Sequence, residues 1–125
     1  MHIADANVVL RYLLNDDEAL AQAAREIIES DAVWIPGEVF CEVVFVLQKV
    51  YGAPRNEIAE LLRDFVDSTG IVLNDEIVWY KALEFFSASN LDFVDCLLAG
   101  YNAVEGAQVH TFDKKLGNFI ARLSP

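Results

Sequence analysis

The sequence predicts an α/β fold, a single-domain α/β/α sandwich over residues 1–125 around a central, mostly parallel sheet. Three observations predict it. Four short apolar runs, residues 2–4, 32–35, 71–73 and 108–112, each end at a polar or turn residue, and helix-length patterned segments separate them. No Gly/Ser/Pro-rich linker, repeat or low-complexity tract interrupts the chain. Finally, 125 residues with 54% hydrophobic and 23% charged content suit one domain with one core.

In chain order, the first run (2–4) is followed by a helix over 7–14, which begins with the N-cap type residue Asn7. Residues 19–30 are Ala/Glu-rich, with apolar positions at helical spacing. The second run leads into Pro36 and a helix over 37–51 that is apolar almost all round, as a helix packed in the interior would be. Pro54 opens a helix over 55–68, whose Ile58, Leu61, Leu62 and Phe65 form an amphipathic stripe. After the third run come helices over 75–87 and 91–105, the latter again apolar on most sides, and then the last run, VHTF.

A balance of 9 Lys+Arg against 20 Asp+Glu, net −11, disfavours loose adhesion to nucleic acid or to anionic membrane. The first residues carry no basic leader, and no apolar run approaches the ~20 residues of a spanning helix. The expectation is a cytoplasmic protein with no membrane association. Cys41 and Cys96 are too few for a disulfide framework and form no CxxC pair, so both are expected to be buried free thiols.

Most acids, among them Asp16, Asp17, Glu18, Glu57 and Asp64, lie in polar or amphipathic surroundings and belong to solvated faces. Four do not. Asp5 stands at the carboxyl end of the first run, Glu42 lies inside VFCEVVFVL, Asp95 is embedded in LDFVDCLLAG, and Asp113 follows VHTF. Asp92 precedes Asp95 by one helical turn, and like charges so placed repel unless a cation or a proton intervenes. In open parallel sheets ligands bind beyond the carboxyl ends of the strands, where Asp5 and Asp113 fall. If the two apolar helices deliver Glu42 and Asp95 to the same end, the converging carboxylates form an oxygen-only ligand set that favours Mg2+ or Mn2+ over zinc. Each acid also has a plainer use: Asp5 as a helix cap, Glu42 beside a surface groove, Asp92 at a helix dipole and Asp113 in a turn.

The segments IADANVVLRYLLNDD, EVFCEVVFVLQ, LDFVDCLLAGYNAVEG and VHTFDKKL, in this order and spacing, resemble the PIN-domain nucleases, and among them the VapC-type toxins of toxin–antitoxin systems. The resemblance implies a PIN-like α/β/α fold and a Mg2+-dependent (Mn2+ possible) endoribonuclease. Catalytic and metal-binding roles would fall on Asp5, Glu42, Asp95 and Asp113, with Asp92 as a further metal ligand and Asn7 and Thr111 supporting the site. It also implies an RNA substrate, a cognate antitoxin that inserts into the active-site groove, and a homodimer. Ala6 stands where many relatives have threonine or serine. Arg11, Lys114 and Lys115 are candidate phosphate contacts.

Two alternatives compete with the toxin reading, a PIN-type RNA-processing nuclease without an antitoxin and, from another class, a phosphoacceptor signalling domain. The second also gathers acids, a Thr and a Lys at strand ends, but Asp5 has no adjacent acid and the run IVLN ends in Asn74. A catalytically silent binding module is disfavoured because every expected acid is present. Trp34, Trp79, Phe85 and Phe86 belong to an apolar surplus whose leftover surface would suit a dimer or an antitoxin helix, with core burial the expected fate of any one of them.

Overall fold

The computed structural model describes residues 1–30 and 32–123. The chain divides into two compact units, Met1–Asn74 and Asp75–Pro125.

In the first unit, β1 (His2–Ile3) and β2 (Val33–Trp34) pair in parallel, His2 opposite Val33 and Ile3 opposite Trp34. The predicted third strand, residues 71–73, contracts to a parallel bridge between Trp34 and Val72, held by Val72 N–H to Val33 O at 2.8 Å and Ile35 N–H to Val72 O at 3.0 Å. The parallel sense is as expected, but the sheet is much shorter. A parallel pair needs a long crossover, and here the crossover between β1 and β2 is two helices, α1 (Ala6–Leu14) and α2 (Glu18–Ser30). Val9, Leu10, Ala21, Ala24 and Ile28 form the buried stripes of these helices.

Helix α3 (Gly37–Lys49) begins directly after Pro36, whose fixed φ suits a helix start. The expectation that it is buried all round is corrected. Phe40, Val43, Val44 and Leu47, spaced i, i+3, i+4 and i+7, face inward, while Glu38, Glu42, Phe45 and Lys49 face water. Apolar residues simply occur on both faces, and Phe45 remains 59% exposed. Helix α4 (Arg55–Ser68) follows Pro54 and buries Ile58, Ala59, Leu62, Phe65 and Val66. Phe65 packs against Tyr12 of α1 with ring centroids 5.5 Å apart.

The second unit is helical: α5 (Glu76–Ala88), α6 (Phe93–Glu105) and α7 (Lys114–Leu123). Helices α5 and α6 make the main contact, where Gly100 lets α6 approach so closely that a Cβ there would stand 3.1 Å from the Val78 carbonyl oxygen. Phe93 bridges the pair, stacked on Trp79 at 5.7 Å and edge-on to Phe86 at 5.6 Å. Helix α6 also departs from expectation, since it leaves Val94 and Leu98 exposed. Of the four aromatic side chains singled out, Trp79, Phe85 and Phe86 belong to the core, the fate expected of each, whereas Trp34 is half-buried. Cys96 is buried as expected but Cys41 is only half-buried, its thiol pushed up by burial and then by Glu38.

The predicted strand 108–112 is irregular, and Phe112 is fully exposed. A strand needs a partner edge for its N–H and C=O groups, and among the described residues of this unit there is no other strand. Helix α7 was not among the expected elements, although Leu116, Phe119, Ile120 and Leu123 carry helical spacing.

Candidate active site

Asp5 sits one residue beyond the Trp34-bonded Ala4 and occupies the N-cap of α1. Its φ/ψ of −88°/176° are extended, and its Oδ1 accepts the Val8 N–H at 3.0 Å. The helix therefore starts one residue before the predicted position, and its cap is Asp5, two residues before Asn7. Capping fixes the carboxylate's orientation through one oxygen, and Asp5 also borders a cavity of about 420 Å³ lined by Ile3, Val8, Ile27 and Val39. Glu42 lies one turn beyond Val39 on α3 and is exposed. The picture of a carboxylate stranded in an apolar interior is thus corrected: among the described residues no charged side chain is buried. A second cavity, about 460 Å³ and lined in part by His2, Trp34, Val72 and Asn74, contains none of the predicted acids. Cavity size therefore does not single out the chemistry. Asn7 is exposed in the first turn of α1. Arg11, a candidate phosphate contact, is already engaged: its Nη1 contacts Asp16 at 2.6 Å and its Nη2 donates to the Tyr51 hydroxyl at 3.2 Å. A phosphate would have to compete with that ion pair.

The second unit holds the other acids. Asp92 is the N-cap residue of α6, but its side chain makes no capping hydrogen bond, so its carboxylate faces solvent. Asp95 follows in the first turn, half-buried. Burial pushes the Asp95 carboxyl above its ordinary range, Asp113 and then Asp92 push it further, and Lys115 opposes them. These three carboxylates accordingly share one electrostatic field in which added positive charge is favourable. Asp113 Oδ1 accepts the Leu116 N–H at 3.0 Å, which caps α7, and the Asp113 N–H donates to Thr111 Oγ1 at 3.0 Å. Asp5 and Asp113 are thus both caps, the plainer use open to each. A cap engages one carboxylate oxygen in each case, and the other oxygen is a separate ligand atom.

Sequence reasoning missed the anchor of Lys115, whose Nζ donates to the Asn90 carbonyl oxygen at 2.9 Å. A backbone acceptor leaves no mark in side-chain identity. Lys114 is exposed at the start of α7. Among the described residues, no three His, Cys, Asp or Glu side chains are grouped closely enough to hold an ion. The donor set nonetheless fits a hard divalent cation, being all oxygen and mutually repelling around Asp95.

A family model for the PIN domain matches residues 3–120, nearly the whole chain. The chain belongs to the PIN-domain family. PIN domains are α/β/α folds and in general metal-dependent nucleases. The match takes in all the acids singled out from the sequence and removes the phosphoacceptor alternative. No curated protein and no solved structure matches this chain. Among the described residues no helix of this PIN domain is long and apolar enough to cross a membrane.

Proposed function

We propose that this PIN domain is a Mg2+-dependent endoribonuclease (Mn2+ serving as well) and the toxin of a toxin–antitoxin pair. We further propose that it acts in the cytoplasm as a homodimer and that residues 1–125 form one nuclease domain. The observation that carries the nuclease reading is the electrostatic field at Asp95, raised by Asp113 and Asp92 within a chain of nuclease family. Asp5, Glu42 and Asp95 would hold the metal, with Asp113 and Asp92 completing its surroundings. When bound, a divalent ion lowers the pKa of a water and offsets charge on the phosphate. The protein's own part is positioning. The caps at Asp5 and Asp113 hold those carboxylates in one orientation, Thr111 secures the Asp113 backbone, and Asn7 orients water or ligand beside Asp5. Lys115 tempers the acid field from the rim, and Lys114 is free to meet the RNA backbone.

The toxin role draws support from apolar side chains exposed near the acids in each unit. Phe45 stands one turn beyond Glu42, and Val94 and Leu98 flank Asp95 on α6. An inserted antitoxin segment would cover such side chains.

Purified protein tests the nuclease reading on a labelled single-stranded RNA with Mg2+. The parent should cleave it and EDTA should stop the cleavage. Asp95→Asn should lose cleavage while its circular dichroism and thermal midpoint match the parent. Parental rates in Asp95→Asn would refute the assignment. Co-expression with the short reading frame next to its gene tests the antitoxin: a toxin is neutralised by that product, and a processing nuclease is not.

A further inference from the structure

The acidic chain concentrates cations on one helix, where the nuclease reading above uses Lys114 and Lys115 and leaves Arg122 unassigned. Three of the 9 Lys and Arg residues, Lys114, Lys115 and Arg122, fall in the ten residues of α7, which contains no acid. Its apolar side faces inward through Leu116, buried, and Phe119, set edge-on against Phe85 at 5.1 Å. Beside it, where α5 gives way to α6, lies a cavity of about 360 Å³ lined by Ser89, Asn90, Leu91, Lys115, Phe119 and Arg122. Among the described residues, the only ionisable side chains lining it are the two cations. Its shape is held by local bonds: Ser89 Oγ donates to Phe85 O at 2.7 Å and accepts from Leu91 N–H at 3.3 Å, while Lys115 Nζ donates to Asn90 O at 2.9 Å. An ammonium has three N–H donors, so that bond leaves Lys115 others for a ligand.

We propose that this cavity is a phosphate subsite for single-stranded RNA, in which Arg122 and Lys115 hold a backbone phosphate next to the one being cleaved. The inference rests on the nuclease reading and adds the path of the substrate. Lys115 links the two places, since it lines the cavity and also acts electrostatically on Asp95. A net charge of −11 repels a polyanion as a whole, so RNA must be met by a local cationic feature of this kind. Phe119 adds an aromatic wall, and aromatic walls beside cations suit unstacked nucleotides. Arg122 is the residue that decides the matter, because it lies nine positions beyond Asp113 and is not among the charges that act on Asp95.

The test measures fluorescence anisotropy of a fluorescein-labelled single-stranded RNA dodecamer in Mg2+, on an Asp95→Asn background, at several salt concentrations. Arg122→Ala should weaken binding three- to tenfold and lower the slope of log affinity against log salt by about 0.7. Arg122→Glu should weaken it more than tenfold, and Arg122→Lys should restore most of it. Arg63→Glu, the same charge change on the exposed side of α4, controls for the overall field and should leave binding within twofold. Binding unchanged by Arg122→Ala and Arg122→Glu, in variants that melt like their background, overturns the subsite. Equal weakening by Arg63→Glu does so too, by assigning the effect to net charge. The two readings fail separately. Arg122-dependent binding with no cleavage by the parent would leave the subsite standing without the nuclease, and cleavage with Arg122-independent binding would do the reverse.

Discussion

Asp5 has two jobs in this account, and substitution can separate them. Its Oδ1 caps α1 by accepting the Val8 N–H at 3.0 Å, and under the proposed function its negative charge would contribute to a metal site. Asn and Ser cap as well as Asp does, whereas Ala leaves the donor unsatisfied at a cost of about 1 kcal/mol. For a chain of this length that cost corresponds to roughly 4 °C in the thermal midpoint. Asp5→Asn and Asp5→Ser should therefore melt within about 1 °C of the parent. Asp5→Ala should fall by about 4 °C. Cleavage should behave differently, because none of the three replacements offers a carboxylate. All three should lose at least about 100-fold in Mg2+-dependent RNA cleavage, a loss at the upper end of that seen for outer-shell partners of metal ligands. Thermal denaturation by circular dichroism and a single-turnover cleavage assay read the two effects on the same samples. If Asp5→Asn cleaves like the parent while Asp5→Ala only melts earlier, Asp5 is a cap and nothing more.

Glu42→Gln removes a charge from an exposed helix position, so stability should change by less than about 0.5 kcal/mol while the Mg2+ concentration for half-maximal cleavage rises; an unchanged Mg2+ titration would take Glu42 out of the site. Gly100→Ala gains about 1 kcal/mol in helix propensity but forces a Cβ to 3.1 Å from the Val78 carbonyl, and a net loss of about 1 kcal/mol is expected in denaturant melts. A neutral or stabilising effect would mean that α5 and α6 separate freely there. The Tyr101 hydroxyl donates to Asp75 at 2.8 Å, and this bond, followed by burial and the nearby acids, raises its pKa to about 12. Between pH 10 and 12 the folded protein keeps a proton that the unfolded chain releases, so this contribution to stability is complete below pH 10 and is lost as pH rises to about 12. Absorbance titration should show a tyrosine component ionising near pH 12 that is lost in Tyr101→Phe, beside the smaller upward shift of Tyr12, which burial and then its bond to Glu29 produce.

Much of the helical layout was legible locally. The start of α3 after Pro36 and of α4 after Pro54 follows from proline's fixed φ, and the inward stripe of α4 follows from its spacing. The short sheet was legible only in part, because a strand is stabilised by a partner edge that no local pattern encodes. Residues 108–112 have strand-like composition yet remain irregular in their unit. Helix α7 follows an apolar run of strand-like composition that masks it locally, although Asp113 and the spacing from Leu116 to Leu123 mark a capped helix.

The acids divide in the same way. Their identity, order and spacing were present in the sequence by itself, and with them membership of a nuclease family, because chemistry that needs several carboxylates leaves several acids in apolar surroundings. Only the tertiary structure decided how each one is used. It turned Glu42 outward, because a helix with apolar residues on both faces can bury only one. It made Asp5 and Asp113 caps, because each precedes a helix whose first N–H groups need an acceptor. It set Asp95 in the field of Asp92 and Asp113, with Lys115 opposing them, because electrostatic coupling depends on distance in space and not along the chain.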